Sequence, residues 1–344
     1  MQFQRPAALP GVFFDSDMGV NMDSALALAV LYGASSRIKV IGLAVTNPNL
    51  EAAAFCDVVA RFYTTGGRLK VTPPLYHFPI GYAGEGAAAS ASMLSKALAA
   101  KADDGSPVFA INVKDLSETA EVQVVLRNAL SAQKDGNALM VVTGPATDLI
   151  RVLALLGNRE MIAAKIGALI LGAGDFSGSA VDPRIRADVA AARRVFAEWP
   201  TPVVVVGREA GAAVPYPGAS IASDFAWATT HPIVEAYRAS KPTPYDVPSQ
   251  AVLAALYATD MKGDLLKLSE TGRIEVLDDG RTKFMPSPSG THRYLLTASD
   301  PSLKANVVKA FTTLTSAKPA IPAGRGRGAA AATGQQQPAK PSQP

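Results

Sequence analysis

The densest run of groups able to do chemistry is Asp15-Ser16-Asp17-Met18-Gly19-Val20-Asn21-Met22-Asp23-Ser24. Grouped carboxylates repel one another unless a cation or a proton intervenes, so Asp15, Asp17 and Asp23 point toward a hard-metal site. A plainer role covers part of the run: Asn21 or Asp23 can cap a following helix, and Gly19 can supply a positive φ. Asp15 and Asp17 resist that plainer role, because the apolar residues before them form a strand that delivers both to a sheet rim.

The elements that must position this run alternate along the chain. Residues 11–17 (GVFFDSD) read as a short buried strand, and 24–32 (SALALAVLY) as a helix that is apolar nearly all round and packs deep against a sheet. Residues 39–46 are a strand rich in β-branched residues, 50–63 a helix and 69–71 a short strand. The pattern repeats with strands at 138–143, 166–173 and 202–207 and helices at 148–156 and 189–199. Near-continuous apolar strands separated by helices predict an α/β fold, a mostly parallel, doubly wound Rossmann-like sheet with helices on both faces. Ligands bind such sheets at the carboxyl ends of the strands, which places Asp15, Asp17, Asn49, Thr143 and Asp175 near one rim. Further along, residues 274–284 read as a hairpin around Asp279-Gly280, followed by a strand at 292–297 and a closing helix at 302–314.

With 344 residues, 48% of them apolar, the chain can bury a sizeable core. We expect one domain over residues 1–318, its folded part beginning near residue 8, and a disordered Pro/Gly/Ala/Gln-rich tail over 319–344. The formal charge is +4, of which the tail supplies +3 through Arg325, Arg327 and Lys340. The basic balance therefore does not describe a nucleic-acid footprint on a folded face. The single cysteine, Cys56, excludes an internal disulfide and sits in an apolar run as a small core residue. No segment approaches the ~20 apolar residues of a membrane span. The first residues have no charged and apolar leader pattern, so the sequence as given reads as cytoplasmic, or as periplasmic or secreted had a signal peptide been removed.

Residues 15–28 (DSDMGVNMDSALAL) resemble the signature DTDMGNDIDDALAL of a subgroup of the inosine–uridine-preferring nucleoside hydrolases. Residues 43–63 resemble that family's "AVT…N…A…F.D.V..FY" segment, and residues 142–149 (VTGPATDL) its "GPLTNL". Residues 197–211 (AEWPTPVVVVGREAG) are similar to "ENWPTPIVFSGFEIG", and 268–295 to "LS..G…V..DGR..F.PSP.G.HRYL". Several matches in the same order make the resemblance specific.

The resemblance implies a calcium-dependent N-ribohydrolase. In such enzymes the ion chelates the ribose hydroxyls and a water, a strand-end Asp takes a proton from that water, and the base departs from an oxocarbenium-like sugar. Asp17 falls on the catalytic, metal-binding Asp, with Asp15 beside it. Asp23 and Asn49 fall on ribose contacts, and Thr143 on the Thr whose carbonyl binds calcium. Ser24 stands at the second Asp of the usual pair, and Ala251 where the late ligand Asp belongs. Gln250 replaces an aromatic residue, and Asp182-Pro183-Arg184 replaces Glu-Phe-Asn. Two of three metal carboxylates are thus replaced, and affinity for Ca²⁺ depends strongly on ligand charge count.

The expectation is weak or absent calcium binding and reduced or lost hydrolysis, with a ribonucleoside or ribose as ligand. An active enzyme whose metal is held by Asp17, Ser24, the Thr143 carbonyl and Asp246 is the first alternative. A structural or interaction protein with a vestigial pocket is the second. The resemblance also implies a homo-oligomer, and neither nucleic acid nor membrane is expected as a partner. Of the histidines, His77 reads as a loop residue, His231 as a helix-boundary residue rather than a leaving-group acid, and His292 as structural. Residues 172–178 (GAGDFSG) lack a phosphate-loop pattern, although Asp175 and Phe176 could line the pocket.

Overall fold

The computed structural model describes residues 8–70, 79–82, 92–178 and 180–319. His77 and all of the expected tail except Pro319 lie outside the described residues. Ten strands are present among them: β1 (Gly11–Ser16), β2 (Lys39–Val45), β3 (Ile80–Tyr82), β4 (Ala120–Glu121), β5 (Ala138–Thr143), β6 (Ile166–Leu171), β7 (Val203–Val205), β8 (Gly272–Val276), β9 (Thr282–Pro286) and β10 (His292–Tyr294). The helices are α1 (Met22–Gly33), α2 (Leu50–Thr64), α3 (Ser92–Leu98), α4 (Val122–Ser131), α5 (Thr147–Ala154), α6 (Asn158–Lys165), α7 (Pro183–Ala187), α8 (Val189–Glu198), α9 (Arg208–Ala213), α10 (Gly218–Ser223), α11 (Pro232–Ser240), α12 (Gln250–Thr259) and α13 (Pro301–Thr315).

All ten strands form one sheet in the order β4-β3-β2-β1-β5-β6-β7-β10-β8-β9. Pairing is parallel from β4 to β10, and antiparallel only in β10–β8 and the β8–β9 hairpin. The chain winds outward on one side of β1 through β2, β3 and β4, then crosses to the other side and continues from β5. The strand order therefore reverses between β1 and β5, and the crevice outside their carboxyl ends is where such a sheet binds ligands.

The pleat explains why β1 carries no polar residue before Asp15. Val12 and Phe14 face one core with α1 and α12, whereas Phe13 faces a second core with α4, α5 and α8. Both faces are covered, so a continuous apolar run replaces alternation. Helix α1 is buried along nearly its whole length, packed against α12 and α13, in agreement with its all-round apolar sequence.

One expected strand, at 69–71, is not present among the described residues. Leu69 and Lys70 are irregular, Val71 lies outside the described residues, and the third strand is Ile80–Tyr82 instead. Three residues of Ile-Gly-Tyr carry too short a pattern to identify, and Gly81 is there for close packing: a Cβ on it would come within 3.0 Å of the Val122 backbone.

Candidate functional site

Four neighbouring strands deliver polar groups to one point beyond their carboxyl ends. Asp17 follows β1, Thr143 ends β5, Gly172 follows β6 and Val206 follows β7. Asp17 sits in a tight turn in which the Val20 N–H donates to the Asp17 carbonyl at 3.0 Å, with Gly19 at φ 98°. Asn47 closes the turn from β2's side, its side-chain amide donating to the Met18 carbonyl at 3.0 Å.

The centre of this cluster is Arg184. Its Nε donates to Asp17 Oδ2 at 3.0 Å and its Nη2 lies 3.5 Å from Asp17 Oδ1. Its Nη1 donates to the Gly172 carbonyl at 3.2 Å and to Gln250 Oε1 at 2.9 Å. The short helix α7 aims this side chain inward. Asp182 caps α7 by accepting from the Arg184 N–H at 2.8 Å, and Pro183 occupies the first turn, where its missing N–H costs nothing. Gln250 Nε2 closes the ring, donating to Asp182 Oδ2 at 2.9 Å and to the Val206 carbonyl at 3.0 Å.

Ser24 supports Asp17 from α1. Its hydroxyl donates to Asp17 Oδ1 at 2.7 Å, so the 3.2 Å contact with Thr143 Oγ1 is one in which Thr143 donates. Asp23 faces a different task. Its two oxygens accept from the Ala251 N–H at 2.6 Å and the Val252 N–H at 3.0 Å, the first amides of α12. Ser249, the residue before α12, sends its hydroxyl to the Val214 carbonyl instead, so a carboxylate from α1 satisfies the orphan donors of a helix far along the chain.

The electrostatics follow from burial. Arg184 is 7% exposed, Asp17 6% and Asp23 4%. Burial disfavours the charged form of Arg184, but Asp17, Asp23 and Asp182 together overcome it and hold the guanidinium charged well above its ordinary range. Burial pushes the Asp23 carboxyl up to about 6, against the pull of Arg184 and of the Ala251 and Val252 amides. Asp182 is raised for the same first reason, with Arg184 and Gln250 opposing.

The other sequence-derived candidates sit around this cluster in distinct settings. Asp15 is fully buried within β1, its carboxyl raised by burial and then by the charges of Asp148 and Asp17. By strand alternation it shares the face of Phe13, toward α5. Asn49 caps α2, its side-chain oxygen accepting from the Glu51 N–H at 2.9 Å. Asp246 is exposed and accepts from the Gly218 N–H at 2.9 Å, at the start of α10. Asp175 turns its Oδ1 to Ser177, and Phe176 stacks on Tyr294 at 4.4 Å between centroids.

His231 caps α11 through Nδ1, which accepts from the Ile233 N–H at 3.2 Å, and its Nε2 meets the Tyr63 hydroxyl at 3.2 Å. Burial holds its ring neutral, with a pKa near 3. His292 lies on β10, where Nδ1 accepts from the Ile274 N–H at 3.0 Å.

Three of the carboxylates around a dication's place are thus already engaged, whereas both oxygens of the fully buried Asp15 carry no hydrogen bond. Both Asp17 oxygens, both Asp23 oxygens and both Asp182 oxygens accept hydrogen bonds, and Ala251 offers only a methyl group. Behind the guanidinium a cavity of about 10 Å³ remains, lined in part by Gly144, Leu171 and Ala173, scarcely room for one water. Arg184 and Gln250 as site residues were not singled out by sequence reasoning. The signal available was the replacement of two motif positions, by Arg184 and by Gln250, which meet here across 66 residues of chain.

A doubly wound α/β sheet with a polar cluster at the reversal of its strand order defines a ligand-binding architecture. The chain belongs to the inosine-uridine preferring nucleoside hydrolase family, whose model matches residues 12–313. Among solved structures it is similar to an inosine-uridine preferring nucleoside hydrolase from Bacillus anthracis, at 17% identity over 89% of this chain and 100% of that one, TM-score 0.60. An inosine-guanosine nucleoside hydrolase is similar at 15% identity over 89% and 98%, TM-score 0.64. So is the type III effector protein XopQ complexed with adenosine diphosphate ribose, at 12% identity over 91% and 95%, TM-score 0.56. At these identities the likeness is one of fold. No curated protein matches the chain.

Proposed function

We propose that this chain binds a ribonucleoside or a ribosyl ligand at the β1–β5 crevice and has reduced or lost the hydrolysis of the N-glycosidic bond. The observation that carries this reading is the state of Asp17. A general base must offer a lone pair to the proton that it removes, with a basicity near the working pH. Asp17 Oδ2 accepts from Arg184 Nε at 3.0 Å and Oδ1 accepts from Ser24 at 2.7 Å, so both oxygens already face donors where a water to be deprotonated would have to sit.

Family membership and the crevice at the switch point support a ribosyl ligand, and the fold neighbour complexed with adenosine diphosphate ribose suggests that larger ribosyl compounds belong in the trial set. The active alternative needs Asp246 as a metal ligand, and Asp246 is exposed and engaged at α10. The reading assigns the ligand to the unit 1–318, so truncation after residue 318 leaves binding unchanged. The family resemblance adds self-association of that unit.

The test pairs two measurements on the full chain. Calorimetric titration with ribose, inosine and adenosine diphosphate ribose is expected to give saturable heat for at least one. Base release from inosine and uridine is expected to match that of the Asp17→Asn protein. Hydrolysis clearly above that variant establishes the active alternative, and silence toward every ligand moves the assignment to a structural or interaction role.

A further inference from the structure

We propose that Arg184 is the resident cation of this site: its guanidinium occupies the place and engages the carboxylate that a divalent ion would need, so that the site is complete without metal. This inference deepens the reading above and rests on the same family membership. It concerns what neutralises the crevice, not what binds in it.

The first support is position. The guanidinium touches Asp17 beyond β1 and the Gly172 carbonyl beyond β6, and through Gln250 it is tied to the Val206 carbonyl beyond β7. Strand-end carbonyls and a strand-end carboxylate are the oxygens from which a hard cation would be coordinated. Here Asp17 and the Gly172 carbonyl accept N–H donors from one planar fork, a geometry that a guanidinium fills well, and the Val206 carbonyl accepts from Gln250.

The second support is the donor count. A hard dication of calcium's size takes 6–8 oxygens, several of them charged. Asp17 is bonded to Arg184 and Ser24, Asp23 is spent on the α12 amides, and Ala251 has no donor atom, which leaves the fully buried Asp15 as the one unengaged carboxylate of the motif, short of the several that calcium needs. A metal entering this cradle would have to displace a buried guanidinium or share the space with its charge. The residues present therefore do not fit a calcium ion.

The third support is how firmly the arginine is held. It lies in the first turn of α7, whose cap Asp182 is itself bonded to Gln250, so backbone and side chain are fixed from both ends. Replacement of the two expected metal carboxylates by Ser24 and Ala251 removes negative charge from the cradle, in step with exchanging a dication for one guanidinium. The charge balance and the geometry thus change together.

The test titrates Ca²⁺, and Tb³⁺ as a luminescent stand-in, into the unmodified protein without ribosyl ligand, and compares thermal unfolding in EDTA and in excess calcium. The expected result is no saturable binding at concentrations up to those of weak extracellular calcium modules, ~10⁻³ M, and no shift in unfolding temperature. The triple variant Arg184→Ala, Ser24→Asp, Ala251→Asp is expected to gain saturable binding and a calcium-dependent rise in unfolding temperature. Should that variant not fold, the double variant Arg184→Gln, Ser24→Asp, which frees the cradle and restores one carboxylate, is expected to bind Tb³⁺ by luminescence where the unmodified protein does not. Saturable micromolar calcium binding by the unmodified protein, abolished by Asp17→Asn, overturns the proposal. So does a folded Arg184-free variant that stays silent. Ribosyl binding is measured separately, so a failure of the functional reading leaves this result standing, and the reverse.

Discussion

Arg184 Nε and Asp17 Oδ2 lie 3.0 Å apart inside the protein although 167 residues separate them in the chain. This pair joins α7 to the turn after β1 and so couples the two halves of the sheet at the point where its strand order reverses. A buried pair of this kind contributes little relative to a well-packed apolar pair, but loss of one partner strands a charge away from water.

Removing the guanidinium alone is therefore expected to be costly. Arg184→Met should destabilise the fold by roughly 3–5 kcal/mol, because Asp17 is left buried without its cation. The double variant Arg184→Met, Asp17→Leu should recover most of that loss. Urea unfolding of the two single variants and the double gives the coupling directly. Additive losses would contradict the pairing.

Gln250 is the second support of the guanidinium. Gln250→Leu conserves the volume roughly but leaves an Arg184 N–H, an Asp182 oxygen and the Val206 carbonyl without their donors or acceptor. Each unsatisfied buried group costs ~1–3 kcal/mol, so a total of a few kcal/mol is expected. Gln250→Glu keeps the acceptor for Arg184 but turns a second carboxylate toward Asp182 and the Val206 carbonyl, so denaturant unfolding should show it to be no more stable than Gln250→Leu, with the deficit shrinking at low pH.

Gly144 governs the shape of the turn that holds Asp17. A Cβ there would come within 2.3 Å of Thr46 Oγ1 and 3.0 Å of the Asp17 nitrogen. Gly144→Ala must push the β1 turn away from β5, and overpacking of this kind typically costs ~1–3 kcal/mol. The expected signature combines lowered stability in urea unfolding with weakened ribosyl binding by calorimetry. Unchanged binding in a destabilised variant would separate the turn from the ligand site.

The sheet was legible because its strands are apolar on both faces and its helices long enough to show a pattern. Residues 138–143 match β5 in full, and the hairpin turn at Asp279-Gly280 was read from two residues, with Gly280 at φ 84°. Strand β3 was not legible, since three residues cannot show a period. Of the site, Asp17, Ser24 and Thr143 do meet, as neighbours beyond β1 and β5. Asp23 meets the amides of residues 251 and 252 instead, a bond over more than 220 positions that no local pattern encodes. Arg184 was visible only as a motif replacement, and its pairing with Asp17 was not legible for the same reason. An arginine in the first turn of a short helix looks like a solvated charge until a carboxylate from a distant strand is placed opposite it.

The pH dependence of stability should contain two opposing contributions that single variants can separate. Asp23 is raised from 3.8 to about 6, first by burial, so the folded state holds its proton more tightly than the unfolded chain. Its contribution is fully present below pH 3.8 and is lost as pH rises through about 6. His231 is lowered from 6.5 to about 3 by burial among the rings of Phe62, Phe225 and Trp227, so the folded state resists its protonation. Its contribution is present above pH 6.5 and is lost as pH falls toward 3. Between pH 3.8 and about 6 the two slopes oppose each other. Asp23→Asn should therefore make stability rise more steeply with pH across that window. His231→Asn, which keeps a capping oxygen for the Ile233 N–H, should tilt it the other way. Urea unfolding at a series of pH values measures both tilts. Equal tilts of the same sign would mean that neither group titrates as its burial requires.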